Sequence, residues 1–91
     1  MRTDGSPDSV AAWMLLQVER LGRLYSAGAA DEIDHLHGPP HVAYDAEGSP
    51  YLTPPIIEAF RAASGDDVVW SIGGRFWRRR VAGDKPGRDQ R

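Results

Sequence analysis

Residues 66–80 read DDVVWSIGGRFWRRR. Two runs of β-branched and aromatic residues, Val68 to Ile72 and Phe76 to Trp77, flank Gly73-Gly74. A glycine pair between such runs favours a two-residue hairpin turn, because both positions tolerate positive φ. A loop of those two glycines alone sets Ile72 opposite Arg75, Ser71 opposite Phe76 and Trp70 opposite Trp77. The two indoles then form a cross-strand pair on one face and are read as core, with Phe76 pointing the other way. The second strand runs directly into Arg78-Arg79-Arg80.

Outward from this hairpin the chain alternates helix and strand signals. Ser6-Pro7-Asp8 is a helix start: a hydroxyl for the free amides, a proline tolerated in the first turn and an acid at the positive end. Val10, Trp13, Met14, Val18 and Leu21 recur at helical spacing, and Gly22 is a left-handed stop. Arg23-Leu24-Tyr25 is a connector or one rung of strand. Ser26 is read as the cap of a second helix with an apolar stripe of Ala27, Ala30, Ile33 and Leu36, halted by Gly38-Pro39-Pro40. His41 to Tyr44 and Ser49 to Leu52 bracket Asp45-Ala46-Glu47-Gly48 as a second hairpin, with Pro50 confined to an edge. Thr53-Pro54-Pro55 repeats the cap-and-proline start for a third helix, whose apolar face is Ile56, Ile57, Phe60 and Ala63 and whose end is Gly65.

With 91 residues, 41% hydrophobic and 26% charged, the chain fits one small domain with one core. The expected organisation is a flexible N-terminus at 1–6, a domain at 7–82, and a polar basic tail at 83–91 that is mobile unless docked. The element order predicts an α+β fold: a small winged-helix-like domain of three helices with two β-hairpins, residues 66–80 as the wing and 53–64 in the recognition-helix position. Gly22 to Tyr25 (GRLY), Val42 to Leu52 with its D-A-E-G turn, Ala59-Phe60-Arg61, Val68-Val69-Trp70, Trp77-Arg78 and Pro86-Gly87-Arg88 resemble a family of small uncharacterised bacterial proteins. The resemblance spans the chain after the first helix and implies no activity, substrate or cofactor. His35 to Pro40 departs from it, since the family more often carries Phe-Gly there, and Leu36 or Val42 takes over that packing role.

The absence of cysteine suits a reducing compartment. The polar start MRTDGSPDS lacks the apolar core of a signal peptide, and Val10 to Leu16 is far shorter than the roughly 20 residues of a bilayer span. A cytoplasmic protein with no membrane partner is expected.

The formal net charge of −2 hides an asymmetry. Residues 1–74 hold four arginines against eleven acids, net −7, whereas residues 75–91 hold six arginines and Lys85 against Asp84 and Asp89, net +5. Arg75, Arg78, Arg79, Arg80, Lys85 and Arg88, with Arg91, are therefore the candidate contact residues for phosphates or an acidic partner. No nucleophile elbow, phosphate-binding glycine loop, dinucleotide fingerprint or H-E-x-x-H pattern is present, so no catalytic residue or cofactor is assigned. The acid pairs Asp31-Glu32 and Asp66-Asp67 are explained by helix-start and turn chemistry.

His35, His37 and His41 form H-x-H-x3-H near acids. Two helical residues turn through about 200°, so His35 and His37 diverge and no metal site is assigned. The expected function is a non-enzymatic binding module. One reading is weak, electrostatic nucleic-acid binding through the basic wing and tail, since the third helix offers only Arg61 as a base-edge donor. The other is a protein-interaction module that grips an acidic surface, including that of a second copy in a homodimer.

Overall fold

Helix α1 (Pro7–Leu21) starts where Ser6 Oγ accepts from the Ser9 amide and Pro7 occupies the first turn. It stops at Gly22, whose φ of 85° lets its amide close on Val18 O. A computed structural model describes residues 5–90; residues 1–4 of the expected flexible N-terminus, and Arg91, lie outside it. The elements after α1 are β1 (Arg23–Tyr25), α2 (Ser26–Leu36), β2 (Val42–Tyr44), β3 (Pro50–Leu52), α3 (Pro54–Ser64), β4 (Val68–Ser71), β5 (Phe76–Arg79) and β6 (Asp89–Gln90). The described residues thus form an α+β domain, with three helices and six short strands in two sheets. None of the described helices is long and apolar enough to cross a membrane.

The main sheet has the order β1-β5-β4-β6. Its centre is the expected antiparallel hairpin, with Trp70 opposite Trp77 and Ser71 opposite Phe76. Leu24 extends the same row on β1, opposite Trp77, so the connector after α1 is a full strand of the sheet. β2 and β3 pair only with each other, closed by the Asp45 to Gly48 turn. There Asp45 Oδ1 accepts from the Glu47 and Ser49 amides at 2.9 and 3.0 Å, and Gly48 takes a φ of 84°.

The turn between β4 and β5 differs from the expected two-residue loop. It comprises Ile72 to Arg75, closed by the Arg75 amide on Ser71 O at 2.8 Å, and the positive φ (58°) falls on Arg75, while neither Gly73 nor Gly74 has one. Four-residue loops keep the same strand register by wrapping a tighter turn inside it, which is why the cross-strand pairs are unaffected. Gly74 is needed for space: a Cβ there would meet the Phe76 ring at 2.1 Å, whereas one on Gly73 meets nothing within 4 Å.

The helices cover one face of the sheet. Val10, Met14 and Val18 of α1, Ile56 and Phe60 of α3 and Ala29 and Ile33 of α2 form one buried cluster with Leu24, Val68 and Trp77. Phe60 and Trp77 meet edge to face at 5.2 Å, and Trp70 and Trp77 lie 4.8 Å apart. Several details of packing and capping differ from the sequence expectation. The α2 stripe is Ala29, Ala30 and Ile33, while Ala27 and Leu36 are exposed; Leu21 of α1 and Ala63 of α3 are likewise exposed. The α2 cap is Tyr25, not Ser26. Thr53 does not cap α3 through its side chain; its hydroxyl instead donates to Pro40 O and His41 O, tying the start of α3 to the segment that leads into β2.

Residues 80–90 pack on the domain. They cross β4 and return as β6, parallel to it, with the Trp70 and Ile72 amides donating to Arg88 O and Gln90 O at 2.8 and 2.7 Å. Val69 and Ser71, which alternate onto the face away from the helices, are thereby buried too. Trp77→Ala is expected to lower unfolding stability by about 3–5 kcal/mol in urea. Gly74→Ala should cost roughly 1–3 kcal/mol from the forced displacement of Phe76, while Gly73→Ala stays within about 0.5 kcal/mol.

Candidate functional site

The six candidate cations do not form one surface. Arg78 is held by Asp84 through two hydrogen bonds of 2.9 and 2.7 Å. Arg80 donates to three carbonyls, those of Asp66, Lys85 and Gly87. Arg88 donates through Nη2 to Ser64 Oγ at 2.8 Å and to Gly65 O at 3.2 Å, with its guanidinium 5.9 Å from the Phe60 ring centre. These three arginines dock the tail on the domain. Arg75, Arg79 and Lys85 are exposed, and Arg79 faces Glu19 at 3.7 Å, with both side chains half in solvent or more, a pairing of small energetic weight.

The electrostatics follow these contacts. The guanidinium of Arg78, with the Val81 amide, holds the Asp84 carboxyl down from 3.8 to about 2, and Asp84 in turn raises Arg78 above its ordinary value. Burial pushes Arg88 below its ordinary value, and the nearby positive charge of Arg61 adds to this.

The three histidines do not share one environment. His35 is exposed at the end of α2, whereas His37 and His41 meet edge to face with ring centres 5.4 Å apart, and His41 Nε2 hydrogen-bonds Gly5 O. Among the described residues no group of three or more His, Cys, Asp or Glu is placed to hold a metal ion.

A cleft of about 560 Å³ opens where the two sheets face one another. Trp70 and the buried Trp77 line it from the main sheet, Tyr51 and Leu52 from β3, and Ile57 and Arg61 from α3. Arg75 of the hairpin turn and Arg88 of the tail also border it, as do Asp45 and Asp89. Tyr51 is half exposed, and Trp70 is only partly covered. The site thus combines flat aromatic surface with guanidinium donors. Sequence reasoning placed Trp70 and Trp77 in the core and missed their role as cleft lining. Tyr51, Leu52 and Ile57 were legible as strand or helix residues, but no local signal brings the second hairpin to face the first.

Fold and site together define a small α+β domain with an open aromatic and arginine-lined cleft. Residues 6–79 match the model of a family of unknown function, DUF6953, and the chain belongs to that family. No curated protein and no solved structure is significantly similar to it.

Because the folded Asp84 carboxyl lies below its ordinary 3.8, its pairing stabilises the fold above about pH 4 and is lost as pH falls through about 2. Asp84→Asn is expected to flatten that part of the stability profile in urea titrations, leaving the slope at neutral pH unchanged.

Proposed function

We propose that the chain is a non-enzymatic protein-interaction module that holds an acidic, apolar-bearing segment of a partner polypeptide in the cleft. The observation that carries this reading is the lining: Trp70, Tyr51, Leu52 and Ile57 supply apolar and aromatic surface, with Arg61, Arg75 and Arg88 around it. Aromatic residues and arginine are the types that contribute most when a protein surface binds another chain. Acidic side chains on the bound segment complement the arginines, and its apolar side chains cover the half-exposed rings. The acidic balance of residues 1–74 makes a second copy of this chain one such partner.

Nucleic-acid binding through the basic wing and tail is the second reading. The strand order β1-β5-β4 beside three helices supports a winged-helix-like description, with the turn Ile72 to Arg75 at the tip of the wing. Its electrostatic basis is reduced because Arg78, Arg80 and Arg88 are engaged internally, which leaves the exposed Arg75, Lys85 and Arg79, the last beside Glu19, to meet phosphates. Three phosphate contacts give a shallow salt dependence and weak affinity.

Tryptophan fluorescence distinguishes the two. A short acidic peptide carrying Leu and Phe is expected to shift the emission saturably, the same peptide with Gln and Asn for its acids is not, and Tyr51→Ser or Arg75→Asn weakens binding about tenfold, equivalent to about 1.4 kcal/mol. Saturation by oligothymidylate with a log–log salt slope near −2, about 0.7 per phosphate neutralised, and no response to the peptide, establishes the nucleic-acid reading instead.

A further inference from the structure

A second depression, of about 270 Å³, lies at the C-terminal end of α3 and is lined by Arg61, Gly65, Asp66, Val68, Arg80 and Arg88. Three guanidinium groups and one carboxylate border it, a formal charge of +2. Among the described residues, the ion pairs within 4.0 Å are Arg78 with Asp84 and Arg79 with Glu19, so none of these three arginines has a carboxylate at that range. Arg80 and Arg88 meet only neutral oxygens: backbone carbonyls and the Ser64 hydroxyl.

Arg88 is the informative residue. Its Nη2 is occupied by Ser64 and Gly65, which fixes the plane of the guanidinium, but its Nη1 is shielded from solvent and meets no acceptor. A shielded donor on a charged group is costly unless an acceptor satisfies it. Burial and the charges of Arg61 and Arg80 disfavour its protonated form and outweigh the opposing influence of Asp89 and Asp66.

We infer that this depression binds a phosphate group, with Arg88 as the fixed donor, the exposed Arg61 as the donor that closes on it and Arg80 as a supporting charge. A dianion matches the charge of +2 better than one carboxylate does, and guanidinium forks suit phosphate oxygens. The phosphate is either free or borne by a phosphorylated side chain. The inference stands apart from the reading of the cleft, although Arg61 and Arg88 border both.

The test uses the full chain at constant ionic strength, with chloride replaced stepwise by inorganic phosphate, O-phosphoserine or glutamate. Arginine Nε–Hε resonances and the thermal midpoint are followed. Phosphate or O-phosphoserine is expected to shift the Arg80 and Arg88 resonances saturably and raise the midpoint. Tighter binding of O-phosphoserine assigns the group to a phosphorylated chain, and tighter binding of inorganic phosphate to the free ion. Arg61→Gln, on an exposed side chain, should leave the midpoint in chloride at or slightly above that of the native chain and weaken phosphate binding about tenfold. The inference is overturned by the absence of a saturable response, by an equal response to glutamate, or by an Arg61→Gln protein that binds phosphate as the native chain does. Peptide binding in the cleft without a phosphate response overturns this inference alone.

Discussion

Trp77 is the contact on which the other elements depend. Its ring lies 4.8 Å from Trp70 across the hairpin and 5.2 Å from Phe60 of α3, and its backbone is paired on both sides, to Trp70 and to Leu24. One side chain therefore joins the hairpin, the first strand and the third helix. In a domain of this size the core is small enough that few such rings carry much of the buried area. The close approach of α1 and α3 follows from this, since Met14, Val18, Ile56 and Phe60 fill the layer above the ring.

The strand pairing was legible because it depends on local chemistry. β-branched and aromatic runs around a glycine pair allow few registers, and the Trp70–Trp77 pair follows from any loop that keeps Ser71 opposite Phe76. The role of each glycine was not legible. Gly74 is required by the position of the Phe76 ring, a tertiary contact, and the positive φ passed to Arg75, which sequence patterns disfavour. The α2 stripe kept Ala30 and Ile33 but gained Ala29 and lost Ala27 and Leu36: alanines carry little side chain to distinguish one face from its neighbour, so the packing partners decide.

Charge was the property least readable from order along the chain. Arg78, Arg80 and Arg88 look alike in sequence to Arg75 and Arg79, yet the first three bind a carboxylate, carbonyls and a helix end within the same molecule. A run of arginines identifies cations but not their partners, which here come from residues 61–66 and 84–87. The cleft was hidden for the same reason, because its walls are separated by about twenty residues of chain and converge through the packing of α2 against β3 and of α3 against α1.

The return of the chain as β6 changes the character of the sheet's margin. The strand it covers, Val68 to Ser71, is made of residues that favour strand pairing, and its outward amides at Trp70 and Ile72 are occupied by Arg88 and Gln90 carbonyls. Without that cover the same amides would lie open beside an aromatic strand, the arrangement that recruits foreign strands into aggregates. The arginines docked along residues 78–88 therefore act as a seam that holds Arg88 and Gln90 over this margin, so the chain's own backbone satisfies those amides.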